Sequence, residues 1–261
     1  MEKLISGKVR DVYKINEKEL MIVTTDRISA FDVILPSLIP NKGRVLNQIA
    51  LFWFDYTKDL VSNHLLEGEL PEEFGGEEYR GRTIKAKRLK MLPFEFVVRG
   101  YMFGHMWEAY QQGEDFCGYC FADKYELAQK LFKPILTPST KADIGDEYIT
   151  MQTVADVLGD NMAEKIERIC FDLYERCYKY AYERGIIIAD TKLEFGYDEY
   201  GKLYLADEVF TPDSSRFWSL KDYQIGTSPK SFDKQFVRDW LIKQGKDGVK
   251  PAPEQIGRAH V

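Results

Sequence analysis

Apolar side chains recur along the chain with two different periods, which predict most of its helices and strands. An interval of three to four residues indicates an amphipathic helix, whereas alternation indicates a strand with one buried face. The helical interval runs through 44–56, 103–112 and, most clearly, 160–184, where Gly185 follows as a stop. A last amphipathic helix is expected around 232–241.

Strands are predicted in the first hundred residues and again after the long helix. A turn at 198–201 indicates a hairpin between the last two of them. The segment 132–148 is rich in Pro, Thr, Lys and Asp, and we interpret it as an ordered loop over a site or a connection between lobes. The predicted strands are 7–15, 20–25, 83–89, 95–101, 186–195 and 202–210.

The order of these elements predicts the fold class. Strands dominate the first hundred residues and helices the next eighty, which is typical of an α+β fold with two lobes. We expect an N-terminal antiparallel sheet lobe over 1–92, a C-terminal mixed α/β lobe over 93–245 and a polar tail over 246–261. A cleft between two lobes is a usual place for a nucleotide.

Composition and charge narrow the class of protein. No run approaches the roughly 18 apolar residues of a membrane helix, and the first residues lack the apolar segment of a secretory signal, so we expect a cytoplasmic protein with no membrane partner. The net charge of −6 disfavours nucleic acid as a partner but allows a small anion held by clustered Lys and Arg. The four cysteines include a single C-x-x-C, and a second close Cys or His pair, which a structural zinc site needs, is missing. We therefore expect reduced thiols rather than a zinc site.

The hairpin carries the strongest chemical signal. Side chains alternate along a strand, so Asp190, Lys192 and Glu194 share one face. The turn brings Glu194 opposite or diagonal to Asp207 on the returning strand. Two carboxylates beside a lysine suit Mg²⁺ with a polyphosphate, because this ion takes carboxylate, phosphate and water oxygens. A solvated polar face with one cross-strand ion pair is the alternative interpretation.

Other clusters suit phosphate binding. Ser214 and Arg216 lie in an Asp-Ser-Ser-Arg segment that offers hydroxyls and a guanidinium group, although a helix cap and turn explain the same residues. Lys8 and Arg10 follow a glycine at the start of a strand, where two cations suit the phosphates of ATP, but this is no Walker A loop. His105 is expected either to lie in a cleft or to pack against neighbouring side chains at the start of a helix.

Six segments, in their order, resemble the SAICAR synthetase family. They cover the chain from Gly7 to about Trp240 and read GKVRDVY, TDRISAFDVILPSLIPNKGRVLNQ, VVRGY, TPSTKAD, DTKLEFG and LADEVFTPDSSRFW. The resemblance implies a two-lobed α+β fold related to ATP-grasp and protein-kinase-like architectures. It also implies an ATP-dependent ligase of purine synthesis that joins L-aspartate to carboxyaminoimidazole ribonucleotide (CAIR), giving SAICAR, ADP and phosphate through an acyl phosphate. Such phosphoryl transfer depends mainly on positioning and charge neutralisation.

The resemblance further implies roles for individual residues. Asp207 and Glu194 would hold Mg²⁺, and the catalytic set would be Lys192, Glu194, Asp207 and Lys141. Contacts to ATP would come from Lys8, Arg10, Met91, Lys141, Lys192 and Glu194. The substrate pocket would be formed by Arg99, His105, Asp190, Ser214, Arg216, Ser29 and Asp32, with the two arginines on the 5′-phosphate of CAIR.

Two departures from the family pattern stand out. His105 occupies the position where many relatives carry a serine that contacts the ribonucleotide phosphate. The loop 141–148 is also shorter than the common K-A-E-x-G-x-H-D-E-N form and lacks its histidine, so the alignment of Asp146 is open by a residue or two.

Two other functions compete with the ligase. One is a kinase-like phosphotransferase with the same Mg·ATP site, and the other is a nucleotide-binding module without turnover. Dependence on aspartate separates the first from the ligase, and any turnover excludes the second. A homo-oligomer is a further expectation to which no residue is assigned.

Overall fold

The structure is a computed structural model that describes residues 1–31, 33–122, 124–141 and 147–244. No helix in these ranges is both long and apolar enough to cross a membrane. The strands and helices, in chain order, are β1 (Glu2–Ser6), β2 (Arg10–Lys14), β3 (Glu19–Thr24), β4 (Ser29–Ala30), β5 (Val33–Ile34), α1 (Lys42–Tyr56), β6 (Thr83–Lys87), β7 (Lys90–Met91), β8 (Phe94–Tyr101), α2 (His105–Gln112), β9 (Lys130–Thr140), α3 (Met151–Leu158), α4 (Asp160–Tyr182), β10 (Ile186–Tyr197), β11 (Leu203–Ala206), β12 (Ser215–Ser219) and α5 (Gln235–Gln244).

The first lobe is built on an antiparallel sheet of four strands in the order β1-β2-β3-β6. Helix α1 lies close against β3 because Gly43 has no side chain, and a Cβ atom there would overlap the Thr24 carbonyl group. Asp26 caps this helix by accepting hydrogen bonds from the backbone N–H groups of Gly43 at 2.9 Å and Asn41 at 3.3 Å. The cap and the close approach together fix α1 on the sheet.

The second lobe is organised around β10, the longest strand described. The first half of β10 pairs with β12 and β8, and its second half pairs with β11 and β7, while β9 extends the sheet beyond β8. Helix α4 packs on this sheet through a stripe of fully buried side chains. The stripe includes Ile166, Cys170, Leu173 and Cys177, which the helical interval of the sequence predicted.

The α+β class and the two lobes are as predicted. The three helices predicted before residue 185 begin and end within two residues of the predicted bounds. The strand expected over 202–210 is shorter, because Asp207 takes a left-handed conformation (φ 59°) that ends β11 at Ala206.

The interpretation of 132–148 as a loop is wrong for most of its length. Residues Lys130–Thr140 form β9, an edge strand that pairs with β8 at Lys130 and from Ile135 to Thr140. Proline suggested a loop, yet an edge strand tolerates proline because one side of the strand has no ladder hydrogen bonds to lose. Residues 142–146, including Asp146, lie outside the described part of the chain, as do Asp32 and the tail after residue 244.

Candidate active site

The predicted carboxylate pair lies where β10 meets β11. Glu194 pairs with Ala206, which makes Asp207 its diagonal neighbour across the two strands. Lys192 lies on the same face, and its Nζ contacts Glu194 directly, Asp207 at 3.4 Å and Glu95 at 3.0 Å. Three carboxylates, from β10, from β8 and from the residue after β11, thus surround one ammonium group.

Two further cations reach the same carboxylates from other elements. Arg10, on the first sheet, donates to Asp207 at 3.0 Å and pairs with Glu208 at 2.7 Å. Lys141, which directly follows β9, contacts Glu194. The pairs of Arg10 tie the first lobe to the second at this point.

The environment separates the pKa values of the two carboxyl groups. Burial alone would raise the pKa of Asp207, but Arg10 and Lys192 lower it further than burial raises it, so its pKa lies well below its usual range. Burial and the charge of Asp207 raise the pKa of Glu194 against the opposing effect of Lys192. Asp207 thus holds its negative charge to lower pH than Glu194, and it is the carboxylate of the two that is better suited to bind a metal ion.

The two carboxylates suit a divalent ion that takes its remaining oxygen ligands from a bound phosphate and from water. Among the described residues, no group of three or more His, Cys, Asp and Glu side chains is arranged to hold a metal ion alone. Mg²⁺ commonly binds one or two carboxylates and completes its shell with phosphate oxygens and water. Glu194 and Asp207 match that requirement, and the three surrounding cations match a polyphosphate.

A second cluster lies at the first half of β10. Asp190 contacts Arg216 of β12 directly and lies 3.6 Å from Arg99 of β8. Arg99 also donates to the Thr137 hydroxyl at 2.9 Å. Gly104 permits the close approach of Arg216, because a Cβ atom at Gly104 would lie 2.8 Å from a guanidinium nitrogen. Two arginines are therefore held side by side with a single shared carboxylate.

Arg216 lines two adjoining cavities, and Arg99 lines one of them. A cavity of about 190 Å³ is bordered by Arg99, Asp190, Lys192 and the 212–216 segment, so it extends from the arginines to the lysine of the carboxylate pair. A second cavity of about 640 Å³ is bordered by Lys8 and Ser29 of the first lobe. The residues common to both cavities are His105, Tyr148, Arg216, Lys234 and Arg238.

The Asp-Ser-Ser turn (residues 213–215) also lines the 190 Å³ cavity. Ser214 lies within the turn, where its hydroxyl accepts a hydrogen bond from the backbone N–H of Thr211 at 3.1 Å. Its carbonyl oxygen accepts from the N–H of Lys192 at 2.8 Å. Lys42 of α1 pairs with Asp213 at 2.7 Å and so fixes the turn to the first lobe. The turn is held from both sides, and its two serines line the cavity.

His105 begins α2 beside the arginines. Its Nδ1 lies 2.7 Å from the hydroxyl oxygen of Tyr148. Burial lowers the pKa of His105, and the positive charges of Arg99 and Arg216 lower it further, against the opposing charge of Glu108. The histidine is thus a neutral hydrogen-bonding group near neutral pH.

Comparison with known proteins decides the family. The SAICAR synthetase family model matches residues 3–255. A phosphoribosylaminoimidazole-succinocarboxamide synthase of Chromobacterium violaceum is 48% identical over 259 residues, covering 97% of this chain and 91% of its own. The chain belongs to the SAICAR synthetase family. The interpretation of the sequence as a ligase of this family is therefore confirmed.

Solved structures agree with that assignment. A SAICAR synthase from Saccharomyces cerevisiae, complexed with SAICAR, superposes with a TM-score of 0.85 at 39% identity, over 98% of this chain and 90% of the other. A type-2 SAICAR synthetase in complex with ADP gives a TM-score of 0.72 at 26% identity, over 95% and 99% of the two chains. The two-lobed fold of the SAICAR synthetases is thus the fold of this chain.

The remaining predicted residues lie at the borders of the two clusters. Lys8 and Ser29 line the 640 Å³ cavity. Met91 lies on β7 and pairs with Gly196, two residues beyond Glu194, with 39% of its surface exposed. Asp32 falls outside the described residues.

Sequence reasoning missed Lys234 and Arg238, which both cavities share. Burial lowers the pKa of each. The charge of Arg238 lowers the pKa of Lys234 further, and the charge of Arg216 lowers that of Arg238, against the pull of nearby carboxylates such as Asp213. The two cations stand four residues apart, a spacing that puts them on one side of a helix. That spacing was a usable signal, but the segment was interpreted only through its apolar positions.

Proposed function

We propose that this SAICAR synthetase homologue joins L-aspartate to the carboxylate of CAIR, consuming ATP and releasing ADP and phosphate. The proposal depends on one observation about strand β10. Glu194 at one end offers a carboxylate for a metal–triphosphate, and Asp190 at the other end contacts the arginine Arg216, which can bind a phosphate. Lys192 lies between them and contacts Glu194. Alternation along the strand puts all three on one face. The two reacting groups would therefore meet near Lys192.

The nucleotide end is assigned to the carboxylate pair. Asp207 and Glu194 would hold Mg²⁺, which when bound neutralises charge on the phosphate oxygens. Arg10, Lys141 and Lys192 would then turn from these carboxylates towards the triphosphate. Lys8 would lie along the phosphates as well, and Met91 would contact the adenine.

The CAIR end is assigned to the paired arginines. Guanidinium groups bind phosphate through two parallel hydrogen bonds, so Arg99 and Arg216 suit the 5′-phosphate of the ribonucleotide. Ser214 and His105 border the same cavity and would add hydrogen bonds to the phosphate or ribose. Ser29 lies across the larger cavity, and Asp32 follows shortly after it in sequence; we assign both to the substrate pocket on the family resemblance.

The chemistry follows from this placement. An oxygen of the CAIR carboxylate attacks the γ-phosphorus of ATP, and the bond from that phosphorus to the β-phosphate oxygen breaks to release ADP. The amine of aspartate then attacks the acyl carbon, loses a proton and expels inorganic phosphate. Lys192 stands where it can contact the transferring phosphoryl group, so its part is to stabilise charge in the transition state.

The two carboxylates of aspartate need cations of their own. Lys234 and Arg238 border the 640 Å³ cavity, and neither is assigned to ATP or to CAIR. An anion beside them would offset the burial that lowers their pKa values. We assign aspartate to this cavity.

The test of the proposed reaction omits each substrate in turn. ADP should form only when ATP, CAIR and aspartate are all present, and mass spectrometry should detect SAICAR. CAIR labelled with ¹⁸O in its carboxylate should pass one label to the released phosphate, because the acyl phosphate is cleaved at its carbon–oxygen bond. ADP formed on another acceptor without aspartate would favour the kinase-like alternative and contradict the ligase.

The lobe boundary and the compartment complete the proposal. We place the boundary near residue 92, between the last strand of the first sheet and β8, and limited proteolysis would locate it. The cytoplasm is proposed because all four cysteines are unpaired and two of them are buried. Recovery of the protein in a membrane or secreted fraction would contradict that placement.

A further inference from the structure

His105 and Tyr148 form a hydrogen-bonded pair at the border between the two cavities of the candidate site. Nδ1 of the imidazole lies 2.7 Å from the hydroxyl oxygen of the tyrosine, and both residues line both cavities. The pair also joins the two departures from the family pattern, because His105 stands where many relatives carry a serine and Tyr148 ends the shortened loop. These two changed positions are therefore in direct contact.

Tyr148 is fixed both by its backbone and by its ring. It forms a β-bridge with Ser139 of β9, and backbone hydrogen bonds from the residues on either side of it also join β9, at 2.9 and 3.0 Å. The centre of its ring lies 4.6 Å from that of Phe116 and 5.8 Å from the guanidinium carbon of Arg99. A tyrosine held in this way keeps its hydroxyl in one place, so it can orient the group that it contacts.

The charges around the pair decide which partner donates. Burial and the charges of Arg99 and Arg216 lower the pKa of His105 against the charge of Glu108, so the ring is neutral and carries one N–H. Burial raises the pKa of Tyr148, whose hydroxyl keeps its proton, while the same two arginines act on its oxygen. An oxygen beside cations turns its lone pairs towards them, which directs its proton to Nδ1 of the imidazole. The single proton of the ring therefore lies on Nε2.

We propose that Tyr148 is a positioning residue whose hydroxyl donates to Nδ1 of His105 and so presents the Nε2–H group to an oxyanion in the cavity beside Arg216. Among the described residues, the ring of His105 makes no hydrogen bond other than that to Tyr148, and its side chain is exposed. A neutral N–H adds a directed hydrogen bond where the arginines already supply the positive charge. That the oxyanion is the 5′-phosphate of CAIR rests on the proposed function, whereas the tautomer of His105 does not.

The first test observes the tautomer by NMR in the full chain labelled with ¹⁵N at histidine, with inorganic phosphate as the probe. His105→Ala identifies the signals of His105. The wild-type protein should show one tautomer with the proton on Nε2, and added phosphate should shift the Nε2 signal. Tyr148→Phe should move the Nδ1 signal to that of a nitrogen without a hydrogen bond. A proton on Nδ1 in the wild type, an unchanged Nδ1 signal in the variant, or an Nε2 signal insensitive to phosphate would overturn the proposal.

The second test is a double-mutant cycle on the KM for CAIR. Tyr148→Phe should raise this KM about fivefold, with little change in kcat or in the KM for ATP, because one oriented hydrogen bond is weakened. In a His105→Ala background the same change should have no effect. His105→Gln places an amide nitrogen near the position of Nε2 and should retain more CAIR affinity than His105→Asn, whose nitrogen lies near the position of Nδ1.

Tyr223→Phe is the matched control, because the hydroxyl of Tyr223 also makes a 2.7 Å hydrogen bond, to the Ala128 carbonyl oxygen, and lines neither cavity. It should leave the KM for CAIR unchanged. An equal loss from Tyr148→Phe in both backgrounds would assign the tyrosine to the support of Arg99 and contradict the proposal. If the chain does not ligate CAIR at all, the NMR result still decides the tautomer, so the two failures are distinguishable.

Discussion

The two ends of β10 differ in how their charges are balanced. At the Glu194 end, each carboxylate already has cations in contact, and Arg10 and Lys192 hold Asp207 well below its usual pKa. At the Asp190 end, cations crowd around few carboxylates, and burial lowers the pKa values of Lys234 and Arg238. The carboxylates at the Glu194 end can exchange one cation partner for another. The pocket at the Asp190 end favours an anion.

This difference explains how one strand can serve two ligands. A metal–triphosphate brings both an ion for the carboxylates and an anion for the displaced cations, so the Glu194 end stays balanced when it binds. A phosphate or carboxylate brings only negative charge and is stabilised where cations are in excess. The balance of charges at each end would therefore direct each ligand to its own end of the strand.

Removing the charge of Asp207 should give the largest effect. We expect Asp207→Asn to lower kcat about 10³-fold, because the variant loses the charge of the carboxylate that we propose as the main metal ligand. Steady-state kinetics at saturating substrates would measure the loss, and thermal unfolding would check the fold. The control, Glu199→Gln, removes an exposed carboxylate on the hairpin turn and should leave kcat unchanged. Near-normal turnover in Asp207→Asn would refute the metal role.

Removing a guanidinium group at the Asp190 end should weaken the binding of CAIR but not that of ATP. We expect Arg216→Ala to lower kcat/KM for CAIR about 10²-fold, because a bidentate phosphate contact is lost, with little change in the KM for ATP. Arg80→Ala, which removes an exposed arginine, is the matched control. An unchanged CAIR affinity, or an equal loss for ATP, would remove Arg216 from the phosphate pocket.

Acid should destabilise the protein through His64, which lies buried near Asp207. Burial lowers its pKa to about 4, and its Nε2 has no hydrogen-bond partner among the described residues. The unfolded chain binds a proton near pH 6.5, so stability is fully present above that pH and is lost as the pH falls towards 4. We expect a loss of about 2 kcal/mol at pH 5 relative to pH 7.

Chemical denaturation at the two pH values would measure this loss. His64→Leu cannot take up the proton, so its stability should change less over the same interval. An equal pH dependence in the variant and the wild type would exclude His64 as the source.

The smallest effect is expected at the aspartate cavity. Lys234→Met should raise the KM for aspartate about tenfold, because one of two cations facing the carboxylates is lost. The KM for CAIR should change less than that for aspartate. The reverse order, with CAIR affected more, would move Lys234 to the ribonucleotide.

The sequence predicted those features that depend on local periodicity. The alternation of Asp190, Lys192 and Glu194 and the stripe along α4 follow from neighbours in the chain, and both appear in the structure. Strand β9 was missed because its prolines are tolerated only by its edge position, which the sequence does not state. The contact of Arg10 with Asp207 joins residues 197 positions apart, so no local pattern could reveal it.

The most direct test of the account is a crystal structure with Mn²⁺, a non-hydrolysable ATP analogue and CAIR. The account predicts an anomalous manganese signal between Glu194, Asp207 and the triphosphate, with the CAIR phosphate against Arg99 and Arg216. A manganese signal away from both carboxylates, or a CAIR phosphate bound elsewhere, would contradict the division of β10 into a metal end and an anion end.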